Sequence, residues 1–130
     1  MKNLLILLSL IFVNACTPVD TDHCGNSACT EEFISISITI TNQENEAYVL
    51  DSFRTIVKRT QETFTNEDSL SDDGTYSILN DSQKDKTSFE GEIFIFKGMK
   101  NGEIVVSEEF VIKKDCCHIS YVSGNQNFTI

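Results

Sequence analysis

Alternation with a period of two constrains this chain more than any other feature. Across residues 33–41, Ile34, Ile36, Ile38 and Ile40 point one way while Ser35, Ser37, Thr39 and Thr41 point the other. That is the pattern of a strand with one face on a core and one in water. The same period recurs in residues 48–59, where Phe53, Thr55 and Val57 alternate with Arg54, Ile56 and Lys58, with a break expected near Asp51. A short strand is expected around Tyr76, Ile78 and Leu79. Two longer runs follow. In one, Phe89, Gly91, Ile93 and Ile95 oppose Glu90, Glu92, Phe94 and Phe96; in the other, Ile104, Val106, Phe110 and Ile112 share a side. Between them Asn101-Gly102 supplies the positive φ of a tight hairpin turn. Residues 118–122 and 127–130 close the chain around Ser123-Gly124-Asn125.

About seven short strands separated by turns predict an all-β fold, an antiparallel β-sandwich of immunoglobulin-like or transthyretin-like size. A small β-barrel is the alternative. No helical period is visible, and the polar runs at 42–46, 66–74 and 80–87 read as loops. Loops at the ends of a sandwich are the expected place for ligand contacts. A chain of 130 residues holds one such domain.

The first residues do not belong to that domain. Met1-Lys2-Asn3 is a short cationic start, and residues 4–13 form an apolar run too short to span a bilayer, the build of a secretory signal. The sequence that follows, Val13-Asn14-Ala15-Cys16, resembles the bacterial lipobox. In that family of lipoproteins the matching Cys, here Cys16, takes a diacylglycerol on its thiol and becomes the new N-terminus. The resemblance implies a lipoprotein signal peptide at 1–15 and a lipidated tether at 16–28, and the alternating strands place the sandwich domain at 29–130. Two or more acyl chains, at about 0.8 kcal/mol per buried CH₂, anchor a protein stably. Thr17, where some Gram-negative lipoproteins carry a retaining Asp, is similar to the pattern of those passed on to the outer membrane. An ordinary signal ending at Ala15 with an unmodified Cys16 is the competing reading.

Charge narrows the partners. Twenty Asp or Glu against ten Lys or Arg give a net charge of −10, and loss of Lys2 with the leader takes it to −11. A surface of that sign repels phosphate, so nucleic acid is not an expected partner. It favours a cationic partner or a divalent ion over an anionic glycan.

Without Cys16 an even set of cysteines remains: Cys24, Cys29, Cys116 and Cys117. In an exported chain these read as disulfides. A bond between the neighbours Cys116 and Cys117 closes a small strained ring, so each is expected to bridge back separately to the N-terminal pair. Which goes to which stays open. A bridge from Cys29 to Cys117 closes a loop of 88 residues, worth roughly 4 to 5 kcal/mol on the chain-entropy model. The alternative is a zinc site drawn from His23, Cys24, Cys116, Cys117 and His118.

Catalysis has little support in the residues. His23 and His118 are the only histidines available as bases, and no Gly-x-Ser-x-Gly elbow, phosphate loop or His-Glu-x-x-His occurs. No enzyme activity and no cofactor are expected. Asp68, Asp72 and Asp73 form an acidic loop that calcium would fit only outside the usual EF-hand spacing. Asp68-Ser69-Leu70 resembles the triplet that some anaerobic bacteria O-glycosylate after export.

Three stretches carry a wider likeness: Cys29-Thr30-Glu31-Glu32-Phe33 leading into the first strand, Leu50-Asp51-Ser52-Phe53, and Lys114-Asp115-Cys116-Cys117-His118-Ile119 before Ser123-Gly124. Together they resemble small lipoproteins of Bacteroidetes-type genomes that have no assigned activity, the Asp-Cys-Cys-His element being the most specific part. More distantly the chain is similar to carboxypeptidase-regulatory-like or transthyretin-like sandwich modules, although residues 42–46 lack the Gly usual in their first turn. The expected role is therefore a lipid-anchored envelope protein, in the outer membrane and facing periplasm or surface. It would act as a binding or structural module with an envelope protein as its possible partner, a metal-binding lipoprotein being the alternative.

Overall fold

The computed structural model describes residues 24–66 and 72–130. The leader, Cys16, most of the tether, His23 and the Asp68-Ser69-Leu70 triplet lie outside these residues. Eight strands follow in chain order: β1 (Ser35–Thr41), β2 (Ser52–Val57), β3 (Thr63–Phe64), β4 (Thr75–Asn80), β5 (Glu92–Lys100), β6 (Glu103–Lys114), β7 (Ile119–Ser123) and β8 (Asn127–Thr129). They form two separate sheets, β4-β1-β8 and β3-β2-β5-β6-β7, packed as a β-sandwich. The barrel alternative is therefore excluded, since the strands do not close on themselves.

Three features depart from the sequence expectation. Among the described residues the strands number eight, because β3, only two residues long, pairs with β2 through Thr55 and Ile56. The sandwich is not wholly antiparallel: β8 runs parallel to β1, with Thr39, Ile40 and Thr41 opposite Asn127, Phe128 and Thr129. Residues 81–86, read as loop, form a 3-10 helix, Asp81–Lys86. Asn80 caps it, its side chain accepting from Ser82 N–H at 3.1 Å while Gln83 reaches back to Asn80 N–H. That reciprocal pair satisfies backbone donors a helix start leaves open.

The core lies between the sheets. From one side come Ile36, Ile38 and Ile40 of β1 with Tyr76, Ile78 and Leu79 of β4. The other side supplies Phe53 and Val57 of β2, Phe94 and Phe96 of β5, and Val106, Phe110 and Ile112 of β6. Phe53 lies 5.2 Å from the Tyr76 ring and 5.7 Å from Phe96, a tilted and stacked aromatic centre. Polar atoms buried here have partners. Tyr76 Oη accepts Leu50 N–H at 2.7 Å and donates to Tyr48 O at 3.0 Å. Burial raises its pKa.

Two bulges tune the layers. The β1–β4 register steps from Ile36↔Leu79 to Ser37↔Ser77, leaving Ile78 out of the ladder. Its carbonyl accepts Thr55 Oγ1 at 3.0 Å, a hydrogen bond from one sheet to the other. In the β5–β6 hairpin the register steps from Gly98↔Val106 to Met99↔Ile104, so Val105 is the extra residue. An extra residue reverses the facing of what precedes it. Ile104, expected on the core side, is 51% exposed, and Val105 packs against the core instead. The turn itself is as expected, with φ of 52° at Asn101 and 78° at Gly102. Asp51 braces it by accepting Asn101 N–H at 2.6 Å.

Candidate functional site

The chemistry-bearing residues converge where β6 turns into β7. Asp115 organises that turn: its Oδ1 accepts Cys117 N–H at 2.7 Å and His118 N–H at 2.8 Å, and its own N–H donates to His118 O at 2.9 Å. Asp is suited to this because a short carboxylate reaches the backbone two and three residues on. These two donors hold the Asp115 carboxyl below its ordinary pKa. Cys116 and Cys117 therefore sit in the turn between β6 and β7 and not in a strand.

The bridges are Cys24–Cys116 and Cys29–Cys117, with Cα separations of 5.1 and 5.3 Å. Each thiol of the Cys116-Cys117 pair thus goes back to the N-terminal segment, as the spacing suggested, and the order that was open is now assigned. With all four sulfurs bonded in pairs, the thiolates needed by the zinc alternative are gone, and among the described residues no group of three or more His, Cys, Asp or Glu converges on a metal position.

Beside the bridges lies a carboxylate that the sequence reading passed over. Asp81 opens the 3-10 helix. Its Oδ2 accepts Ile34 N–H at 2.8 Å and lies 2.7 Å from His118 Nδ1, while Oδ1 accepts Ile119 N–H at 2.8 Å. Asp81 N–H in turn donates to Ile34 O at 3.0 Å. Burial pushes this carboxyl up, but the donors Ile34 and Ile119 and the His118 ring more than reverse it, so its pKa lies below the usual value. One side chain thereby ties the approach to β1, the end of β4 and the start of β7.

His118 extends the array. With Asp81 accepting at Nδ1, that nitrogen carries the proton and Nε2 is free to accept in the neutral ring. Thr30 Oγ1 lies 3.1 Å from Nε2. Lys84, on the 3-10 helix, donates from Nζ to Cys116 O at 3.2 Å and to Cys117 O at 3.4 Å. Hydroxyl, imidazole and carboxylate stand in the order of a proton relay. Asp81 differs from a dedicated relay member in that its other contacts set the path of two strands. Together with the disulfides, the array locks residues 24–34 onto the end of the sandwich.

The polar runs 42–46 and 80–87 lie at opposite ends of β1, and Asn66, where the third run begins, accepts Gln83 Nε2–H at 2.6 Å. Residues 80–87 lie at the disulfide corner, at the start of β1. Residues 42–46 follow the end of β1, where Asn42 Oδ1 accepts Glu44 and Glu46 N–H at 3.0 and 2.8 Å. Gly74 lies beside that same end, its carbonyl accepting Ile40 N–H at 2.8 Å. The length of β1, roughly 20 Å at strand rise, separates residues 42–46 from residues 80–87. Asp73, one of the acidic loop residues, accepts Thr75 N–H at 2.8 Å and so serves its own turn.

No protein-family model, curated protein or solved structure matches this chain.

Proposed function

We propose that this chain is an exported, lipid-anchored envelope protein whose disulfide-tied sandwich serves as a binding or structural module. The observation that carries the reading is cysteine pairing. Four of the five cysteines are bonded to one another, and the one left over is Cys16, the residue at the lipobox position. Two such bridges belong to an oxidising compartment. An anchor on Cys16 leads within a few residues to Cys24, where the chain becomes covalently tied to the far end of β6. Force or orientation imposed at the membrane is then delivered to the β6–β7 corner and not to a fraying terminus.

In this reading the sandwich is held in the outer membrane by its lipid, facing periplasm or surface, and an envelope protein is its partner class. The test is fractionation of cells expressing the wild type and Cys16→Ser. The wild type goes to the membrane fraction with its leader removed, and the variant is either soluble or still carries its leader; a leader-free variant as membrane-associated as the wild type overturns the proposal.

A further inference from the structure

The acids and bases of this chain are not evenly spread. On β2, the buried residues Phe53, Thr55 and Val57 put Arg54 and Ile56 on the outer face of the five-stranded sheet. On β5, buried Phe94 and Phe96 put Ile93, Ile95 and Lys97 there. On β6, buried Phe110 and Ile112 put Ser107, Glu109, Val111 and Lys113 on the same face. In a chain with twice as many acids as bases, this face carries Arg54, Lys97 and Lys113, and its one strand carboxylate, Glu109, is taken by Lys58 at 2.7 Å.

Register sharpens the observation. Arg54 lies directly opposite Lys97, and Lys97 directly opposite Ser107. Directly opposed side chains have Cβ atoms about 5 Å apart, and like charges placed so repel. A sequence under no other demand would put an acid across from Arg54, as it does elsewhere in pairing Arg59 with Glu92 and Lys86 with Glu62. Among the described residues neither Arg54 nor Lys97 has an ion-pair partner, and Nε of Arg54 is buried without a hydrogen-bond partner. A guanidinium and an ammonium placed directly opposite each other without a counter-charge are disfavoured unless an anion is shared between them.

We propose that Arg54 and Lys97, with the Ser107 hydroxyl on the same row, form a site for a phosphate dianion, free or as a monoester, on the outer face of the five-stranded sheet. The chemistry fits the count of charges. A phosphomonoester carries close to two negative charges at neutral pH, matching two cations, whereas a carboxylate neutralises only one. Arginine presents a planar fork to two oxygens, lysine adds a point charge, and a hydroxyl can donate to the third oxygen. Half-buried Ile56 and Ile95 lie one step along the face, and they lower the local dielectric around the pair. The whole-chain acidity, which argued against anionic partners, does not reach this face undiminished, because charges more than about 8 to 10 Å away are screened at physiological salt.

The source of the phosphate is either free phosphate or an esterified group such as a headgroup or sugar phosphate, and the test separates them. The full chain, disulfides intact, is titrated with inorganic phosphate, with glycerol 3-phosphate and with acetate, following ³¹P line broadening and the Arg54 Nε–H resonance. The expected result is saturable binding of both phosphates with a dissociation constant of about a millimolar, at least tenfold weaker for acetate and weakened by salt. Tighter binding of glycerol 3-phosphate supports an esterified ligand; equal binding supports free phosphate. Arg54→Gln and Lys97→Gln each lose at least tenfold, whereas Lys86→Gln, elsewhere on the surface, is unchanged. Lys97→Glu supplies the missing acid, so it abolishes binding while raising the melting temperature, which shows that loss of binding is not loss of fold. Acetate binding as well as phosphate, or binding retained in Arg54→Gln and Lys97→Gln, overturns the proposal.

Discussion

Asp81 and His118, 37 residues apart in the chain, meet at 2.7 Å between a carboxylate oxygen and Nδ1 of the ring. The same carboxylate accepts backbone N–H groups of Ile34 and Ile119, so a polar contact between two side chains is also the joint of three chain segments. Removing the carboxylate leaves two backbone donors and a ring nitrogen without an acceptor in a mostly buried place. Asp81→Ala is expected to destabilise the domain by about 2 to 4 kcal/mol. The melting temperature then falls on the order of 10 °C. Asp81→Asn fares little better, since its amide presents hydrogens to donors. A loss below about 0.5 kcal/mol in thermal melts, the range of an ordinary surface change, contradicts this role.

Acid is expected to destabilise the corner. Asp81 and Asp115 both have native pKa values below the ordinary carboxylate value, which is about 3.9 in an unfolded chain. Between the native and unfolded values the unfolded state binds more protons. Their contribution to stability is therefore complete above the unfolded value and is lost as pH falls through the native ones. Urea midpoints should be level from neutral pH to about 5 and then drop. Asp115→Asn keeps an accepting oxygen for Cys117 and His118 N–H but no longer titrates, so its decline with acid is shallower. A midpoint that rises on acidification is the opposite outcome.

The two bridges should not contribute independently. They span 92 and 88 residues, and on the chain-entropy model the first to form is worth about 4.6 kcal/mol. Once it exists, the second closes only the small ring through residues 24–29 and 116–117, worth about 2.5 kcal/mol on the same model. Replacing either pair by serine should thus cost about 2.5 kcal/mol, and replacing both about 7. Guanidinium unfolding of the three variants measures this; equal, additive losses near the larger single figure count against it.

Gly124 carries the chain from the five-stranded sheet to β8 with φ of 133°, and a Cβ there would collide with the Phe110 ring and lie 2.9 Å from Glu109 O. Gly124→Ala is expected to cost more than about 2 kcal/mol through backbone strain and displacement of a core ring. Gly25→Ala, also at positive φ but with nothing within 4 Å of the added methyl, should cost only about 1 kcal/mol. Comparable losses in the two variants would remove the packing argument.

Much of the architecture was legible because it is local. The isoleucine alternation of β1 and the Asn101-Gly102 turn each encode their geometry within a few residues, and both stand as read. What failed was non-local. Ile104 was placed by strict alternation, which a single bulge at Val105 reverses. The parallel contact of β8 with β1 depends on where the last strand is carried after Gly124, and no periodicity records that. β3 is too short and polar to show a period at all.

The site divides in the same way. Its cysteines were legible by kind and parity, but their pairing depended on the Asp115 turn and was left open. Asp81 looked like one acid in a polar run, and its partners come from residues 34, 118 and 119, so spacing alone could not single it out. One local signal was present: Asn80 followed by Gln83 three residues on is the mark of a capped helix start. It would have placed Asp81 at the first position of an ordered element.

The proposed role depends most heavily on what becomes of Cys16. Intact mass spectrometry of the protein isolated from membranes of its native host, alkylated without reductant, reads this in one spectrum. The expected product is a polypeptide beginning at Cys16, heavier by a diacylglyceryl group and a further acyl chain, with Cys24, Cys29, Cys116 and Cys117 unalkylated. A chain whose Cys16 is unmodified, or which takes up alkylating reagent at the other four positions, contradicts it.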